Sequence, residues 1–363
     1  MKLTMTFAMV LGVVGVAALW SQAPPAAAPR TGPGVQASQD AKEPDILKTC
    51  KVPPPARGGG APRGGGGGQG KGPQAKGPAR APAAPGPVDY KVTEIPGVIA
   101  AGQQWKEVWK VEGNNADGII GTKDGGLLIA QNDDSNVMKL DKNGKVSVAY
   151  SKTNTGGSVT MSNKGSLFVV NRGIYSSIEQ LLPQRKPFAT KINDDPLDCL
   201  GTVLNDAAAD NKGGVYFTAG TVFYADSKGK VTKYGENLNT NGIMLSTDEK
   251  HLWVTNGAAL VEFDVQKDGS LTNQHEFAKL DAGGGDGSTF DAAGRFYITM
   301  SRGVQVLAPD GKSLGIIPTP RGVISVAFSG PDRKMLYAVS REGNTDWLIG
   351  IQMIAQGVKG RGK

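Results

Sequence analysis

Apolar and polar residues alternate along most of the chain beyond residue 113, in short runs separated by turns. The segment NTNGIMLSTDEKHLWVTNG (residues 239–257) shows the pattern on both sides of a polar turn at residues 248–250. Period-two alternation around a turn is typical of an antiparallel hairpin. Asn-Gly is a common turn pair, yet here Asn241 and Gly242 stand before the first strand. Their position therefore needs a reason other than the turn.

The same pattern recurs six times, each time as a small or polar residue, a strand, a turn and further strands. The six segments begin at Asp117, Gly157, Asn205, Asn241, Asp286 and Ser325. Their spacing, roughly 40 residues, is that of four-stranded propeller blades. The sequence therefore predicts an all-β fold, a six-bladed β-propeller preceded by a disordered Pro/Gly-rich N-terminal segment. The ring must be closed, because an open sheet edge invites aggregation.

Two further segments bear on the fold. QWKEVWKVEG (residues 104–113) precedes the first repeat and is predicted to supply the outer strand of the last blade. SSIEQLLPQ (residues 176–184) is the one helix-like piece, limited by Pro183.

The N-terminal part divides by composition. Residues 1–22 contain Lys2 and an uncharged apolar stretch, which predicts an export signal, either cleaved or kept as an anchor. Residues 23–88 are rich in Pro, Gly, Ala and basic residues and predict a disordered linker. The propeller is assigned to residues 89–356 and a basic tail to residues 357–363. We therefore expect an exported protein, periplasmic or secreted.

The formal net charge of +7 comes from the flanking segments. Residues 22–88 hold nine basic and three acidic residues, whereas residues 89–358 carry a net charge of −3. A mildly acidic domain argues against nucleic acid as a partner of the folded part, and a membrane is expected only through the N-terminal anchor. Export permits a disulfide, but a bridge between Cys50 in the linker and Cys199 in the domain is not expected.

The first strand of each propeller blade lines the central axis, so the residues that open these strands converge. Four of the six are Asp117, Asn205, Asn241 and Asp286, which offer carboxylate and amide oxygens. Such oxygen ligands suit one divalent cation, Ca²⁺ best, with Mg²⁺, Mn²⁺ or Zn²⁺ as alternatives. On this hypothesis the side-chain oxygen of Asn241 is needed at the axis, and Gly242 allows the backbone to come close.

The motifs NTNGIMLSTDEKHLWV, DGSTFDAAGRFYITM and VAFSGPDRKMLYAVS resemble those of the senescence-marker-protein/gluconolactonase/luciferin-regenerating-enzyme family. The resemblance implies a six-bladed propeller with one axial divalent cation, and it carries metal-binding roles onto Asn205, Asn241 and Asp286. The first family ligand is usually Glu, whereas this chain has the shorter Asp117. Because Asp is one methylene shorter than Glu, the resemblance implies that the ion shifts, recruits a water or binds more weakly.

The resemblance also implies a function. It predicts a metal-dependent lactone hydrolase in which the cation polarises the lactone carbonyl and activates water, with Asp286 as general base. Asn205, Arg172 and Arg302 are predicted to bind a small lactone or sugar acid. A non-catalytic exported propeller that binds a ligand or partner at its channel mouth is the alternative, and a paraoxonase-like calcium-dependent esterase is a third candidate.

Overall fold

The computed structural model describes residues 43–51, 90–281, 283–301 and 303–359. Within these ranges the chain forms six four-stranded antiparallel sheets, the six blades of a β-propeller. The predicted fold class is confirmed. The predicted export signal and most of the predicted linker lie outside the described residues. None of the helices described is long and apolar enough to cross a membrane.

The strands of each blade follow one another in the chain. The first blade contains β2 (Ile119–Gly121), β3 (Leu127–Gln131), β4 (Asn136–Leu140) and β5 (Val146–Ser151). The second contains β6 (Gly156–Met161), β7 (Leu167–Asn171), β8 (Ser177–Leu182) and β9 (Lys186–Ala189). A two-stranded hairpin, β10 (Lys191–Ile192) and β11 (Asp195–Pro196), and a 3₁₀ turn (Leu197–Leu200) follow. The third contains β12 (Ala207–Ala209), β13 (Val215–Thr218), β14 (Val222–Ala225) and β15 (Val231–Tyr234).

The remaining three blades follow in the same order. The fourth contains β16 (Thr240–Leu245), β17 (His251–Asn256), β18 (Ala259–Val265) and β19 (Leu271–Lys279). The fifth contains β20 (Ser288–Phe290), β21 (Phe296–Met300), β22 (Gly303–Leu307) and β23 (Ser313–Pro318). The sixth contains β24 (Gly322–Ser329), β25 (Met335–Glu342), β26 (Thr345–Gln352) and β1 (Lys106–Glu112).

The ring is closed at the sixth blade by the N-terminal strand. β1 pairs antiparallel with β26, so the outer strand of the last blade comes from the start of the domain, as predicted. The innermost strands of neighbouring blades contact one another around the whole ring, β24 against β2 included. This arrangement places the starts of all six inner strands around one axis.

The apolar core lies between the blades. Each interface is filled by side chains that alternate inward along the strands, and six buried clusters result. Fully burying one large apolar side chain contributes about 1.5–3 kcal/mol, so these interfaces dominate the stability of the ring. The core thus fixes the blades at the positions from which the axial residues project.

The helix-like interpretation of residues 176–184 is wrong. The segment forms β8, which pairs with β7 on one side and β9 on the other. Ile178 and Leu181 are buried, and the side chain of Gln180 bonds Gln184 O at 3.1 Å. Hydrogen bonding on both strand edges outweighs a local helix preference.

A short part of the predicted linker is structured. Residues Glu43–Leu47 form a helix, α1, and Cys50 is joined to Cys199 by a disulfide. The backbone N–H of Lys51 donates to Asp195 Oδ1 at 3.1 Å. The expectation that the two cysteines do not pair is therefore wrong, and residues 43–51 are attached to the β10–β11 hairpin region rather than disordered.

Three glycines allow the inner strands to approach each other. A β-carbon at Gly242 would lie 2.2 Å from Asp286 O, one at Gly118 would lie 2.7 Å from Ser158 Cα, and one at Gly287 would lie 2.8 Å from Ile324 O. A real β-carbon never comes this near a backbone atom without a shift. The glycine of each Asp-Gly or Asn-Gly pair is thus required by strand packing, which explains why the pair stands before the strand.

We predict that Gly242→Ala lowers the free energy of unfolding by about 1–3 kcal/mol, because the added methyl group overpacks the contact with Asp286 O. Gly322→Ala is the matched control, since a β-carbon there meets nothing within 4 Å. Urea unfolding measures both. Equal stabilities of the two variants would contradict the close approach.

We predict that Cys50→Ser lowers the free energy of unfolding by about 2–4 kcal/mol, because the bridge closes a long loop in the unfolded chain. A reductant should lower the stability of the wild type to the same level and leave the variant unchanged. Chemical unfolding with and without reductant measures this. A wild type that is insensitive to the reductant while its thiols become titratable would contradict the prediction.

Candidate functional site

The predicted axial residues meet at one end of the ring. Asn205 Nδ2 donates to Asn241 Oδ1 at 2.5 Å, which joins the third and fourth blades. Asp286 lies beside Gly242 in the next blade. Gly118 N–H donates to Gly157 O at 3.0 Å, which joins Asp117 and its neighbour to the second blade. The structure therefore brings the side chains of Asn205 and Asn241 into contact and places the backbone of Asp286 against Gly242.

Arg172, which directly follows β7 in the second blade, bonds residues of the blades on either side. Its Nη1 donates to Asp117 Oδ2 at 2.5 Å and to Asn132 Oδ1 at 3.3 Å. Its Nη2 donates to Asn205 Oδ1 at 2.8 Å and to Asn205 O at 2.9 Å. One guanidinium group thus connects the first and third blades from its place on the second.

Asp117 is held as a carboxylate. Asn132 Nδ2 donates to Asp117 Oδ2 at 2.8 Å, beside the bond from Arg172. Burial raises the pKa of the Asp117 carboxyl, but the charges of Arg172 and Arg341 and these hydrogen bonds outweigh burial, so its pKa lies below the ordinary value. The Asp117–Arg172 pair is therefore a buried ion pair at neutral pH.

A second arginine stands behind Asp117. Arg341 donates from Nε to Asp346 Oδ1 at 2.5 Å and from Nη2 to Ala116 O at 3.3 Å. Asp346 in turn accepts the backbone N–H groups of Asn115 and Ala116, each at 2.9 Å. This network fixes the backbone on which Asp117 stands, and the charge of Arg341 also acts on Asp286.

The ring has a closed half and an open half. Asp117 and Arg172 are buried, with Arg172 only 4% exposed. Asn205, Asn241 and Asp286, from three consecutive blades, are partly exposed. A small molecule can therefore reach Asn205, Asn241 and Asp286 from solvent, whereas the Asp117–Arg172 pair is buried.

The sixth blade differs from the sequence interpretation. Gly287 N–H donates to Ile324 O at 2.9 Å, in the way that Gly118 N–H donates to Gly157 O. Ile324, rather than Ser325, therefore takes the axial position in this blade, and it offers no oxygen from its side chain. The predicted substrate-binding residue Arg302 lies outside the described residues.

The predicted divalent cation does not fit the ring as it stands. Asp117 Oδ2 and Asn205 Oδ1 accept hydrogen bonds from Arg172, and Asn241 Oδ1 accepts one from Asn205. Three of the four predicted ligands thus use a side-chain oxygen on a hydrogen bond within the ring. A cation would have to displace the guanidinium group from two of them. The metal site remains a prediction from the sequence.

Three residues of the site were missed by sequence reasoning. Asn132 directly follows β3, Arg172 directly follows β7, and Arg341 lies at the end of β25. All three stand at or just after the end of the second strand of a blade, and this shared position could have identified Asn132 and Arg341. Asp206 replaces the glycine of the other pairs. It accepts from Ser158 Oγ at 2.6 Å and from Ile243 N at 3.1 Å, and so connects the second, third and fourth blades.

Another group of ionisable residues lies at the opposite end of the fourth blade. His251, Glu262 and Asp264 offer ligand atoms within 4.8 Å of one another. His251 begins β17, whereas Asn256 at the other end of that strand pairs with Thr240, next to Asn241. This group is therefore separate from the axial ring.

We predict that Asp117→Asn costs about 3 kcal/mol of unfolding free energy at pH 7, because it leaves Arg172 buried without its partner. The Asp117 pKa is lowered on folding, so its contribution is present above the ordinary pKa and is lost as the pH falls through the folded pKa. The difference between variant and wild type should therefore shrink below about pH 4.

Urea unfolding at pH 7 and pH 3 measures this dependence. Asp310→Asn is the control, because its carboxyl is exposed and pairs only with Lys312 at the surface, so little change is expected. A difference for Asp117→Asn that is equal at both pH values would contradict the buried ion pair.

Comparison with known proteins adds to this geometry. The family described as "SMP-30/Gluconolactonase/LRE-like region" matches residues 147–342, more than half of the chain. The chain is 31% identical over 163 residues to lactonase drp35 of Staphylococcus haemolyticus, covering 40% of this chain and 48% of that protein. It is 28% identical over 209 residues to pentonolactonase XacC of Haloferax volcanii, covering 53% and 69%. The chain thus spans about half the length of the first of these relatives.

A solved structure shows the same fold. Regucalcin from Agrobacterium tumefaciens, described as a calcium-binding protein, superimposes with a TM-score of 0.58 at 16% identity, covering 70% of this chain and 96% of that one. At this identity the likeness concerns the fold alone. From the family match and the propeller together, this chain belongs to the SMP-30/gluconolactonase/LRE-like family.

Proposed function

We propose that this chain hydrolyses a lactone, a cyclic ester, at the open half of the axial ring. The observation that carries the proposal is the line of contacts from Arg172 through Asn205 to Asn241, which holds two amides together, with the adjacent Gly242 against the backbone of Asp286. Family membership and relatives named as lactonases support the same substrate class.

The reaction follows from the groups at the mouth. Asp286 takes a proton from a water molecule as the water oxygen attacks the lactone carbonyl. The amide N–H groups of the ring are donors of the kind that stabilise the negative charge on the carbonyl oxygen. The carbon–oxygen bond of the ring then breaks, the leaving oxygen receives the proton that Asp286 took from the water, and a hydroxy acid results.

The buried half of the ring positions these groups. Arg172 holds Asn205 by its side chain and its backbone carbonyl, and Asn205 holds Asn241. Fixing donors before the substrate binds removes the cost of ordering them during the reaction. The metal-assisted step predicted from the sequence is not part of this proposal, because Asp117 Oδ2 and Asn205 Oδ1 already accept hydrogen bonds from Arg172.

We also propose that the protein works outside the cytoplasm. The pairing of Cys50 with Cys199 supports this, since disulfides persist in oxidising compartments. The apolar stretch within residues 1–22 supports it as well.

The test is hydrolysis of aldonolactones and simple γ- and δ-lactones by the full-length chain, followed by proton release. We expect turnover of at least one lactone, and a fall of about 10²–10⁴-fold in Asp286→Asn, because the general base is lost. Asp281→Asn is the matched control, since this exposed carboxylate accepts from Ser313 Oγ in the same blade, and it should keep full activity.

No turnover on the whole panel would contradict the proposal and favour a propeller that binds a ligand at its mouth without reaction. Full activity of Asp286→Asn would contradict the role of Asp286 while leaving the lactonase standing.

A further inference from the structure

Arg172 lies between two of the residues that the family resemblance assigns to a metal ion. Its guanidinium group bonds Asp117 on the first blade and Asn205 on the third, both of them predicted metal ligands. The Nη1–Oδ2 distance of 2.5 Å and the Nη2–Oδ1 distance of 2.8 Å show direct contacts with the oxygens themselves. A positive charge thus already occupies the position between these two ligands.

A glycine in the second blade leaves space for the Arg172 guanidinium group. The axial position of the second blade is Gly157, where four of the other five blades have Asp or Asn. A β-carbon at Gly157 would lie 2.0 Å from Arg172 Nε, 2.1 Å from Cζ and 2.3 Å from Nη1. The guanidinium group of Arg172 therefore fits here only because Gly157 has no side chain. The strand register brings them together, because Gly156 pairs with Asn171 across β6 and β7.

The charges of the buried groups are also consistent with a guanidinium group in place of a metal ion. Asp117 is buried, and a buried carboxylate needs a compensating cation. Arg172 supplies that cation, whereas Arg341 is already paired with Asp346 at 2.5 Å. A divalent ion at Asp117 would have to move a side chain that is 4% exposed away from a carboxylate and an amide. The guanidinium group would then be buried beside the ion without its partners.

We propose that Arg172 is a built-in cation that replaces the axial divalent metal ion in this chain. Arg172 positions Asp117 and Asn205 directly, and it positions Asn241 through Asn205. The ring binds no divalent cation while Arg172 is in place. Lactone hydrolysis then proceeds in the presence of a chelator; only this last statement rests on the proposed function.

The first test measures metal binding without activity. Thermal unfolding of the full-length wild type, Arg172→Ala and Arg185→Ala is followed in EDTA and in excess Ca²⁺ or Mn²⁺. Arg185 is the matched control, because it lies in the same blade and pairs with Glu179 at the surface. We expect Arg172→Ala to be destabilised in EDTA and to gain about 5 °C or more with the ion, because binding to the folded state alone stabilises it. The wild type and Arg185→Ala should change by less than about 1 °C.

Two further variants keep the result decisive. Arg172→Ala/Asp117→Asn should lose the gain, since the carboxylate ligand is gone. If Arg172→Ala does not fold, equilibrium dialysis of Mn²⁺ against the wild type and Asp117→Asn decides the question without it. Binding by the wild type that Asp117→Asn removes would overturn the proposal, and equal, background-level retention by both proteins would support it.

The second test is lactone hydrolysis by the wild type after exhaustive chelation. Retained turnover supports the built-in cation. Turnover that is lost and then restored by a divalent ion overturns it and leaves the lactonase standing. Absence of turnover under every condition contradicts the proposed function instead, and metal binding by the wild type then decides the role of Arg172.

Discussion

The contact on which the axial site depends is the one between the Arg172 guanidinium group and Asp117. It joins the first and second blades directly, and through Asn205 it reaches the third and fourth. A planar group with several donors suits this task, because it bonds a carboxylate on one side and an amide on the other in a fixed geometry. The buried Arg172 thus holds the partly exposed residues Asn205 and Asn241 in position.

Strand packing and site chemistry meet in the same pairs of residues. In Asp117–Gly118, Asn241–Gly242 and Asp286–Gly287 the first residue projects toward the axis, and the glycine permits the neighbouring strand to approach. In the second blade the glycine has moved to the axial position itself, where it makes space for Arg172. In the third blade Asp206 replaces the glycine and bonds across two interfaces. The departures in the second and third blades thus each accommodate a contact between neighbouring blades.

Much of the fold could be predicted from the sequence because period-two alternation and turn residues are local signals. The six blades and closure by residues 104–113 followed from them. β8 was misjudged because its sheet neighbours, not its own residues, determine its structure. The Cys50–Cys199 pair is 149 residues apart, and no local pattern announces such a contact. For the site, convergence of the axial residues was predictable, whereas the placement of Arg172 opposite Gly157 required the register of β6 against β7.

The replacement of an axial metal ion by Arg172 is tested most directly by a crystal structure of the full-length protein soaked in Mn²⁺, with anomalous diffraction recorded at the manganese edge. We expect no manganese peak on the axis and continuous density for the Arg172 guanidinium group between Asp117 and Asn205. A manganese peak coordinated by Asp117 and Asn205, with Arg172 turned away from both, would contradict it.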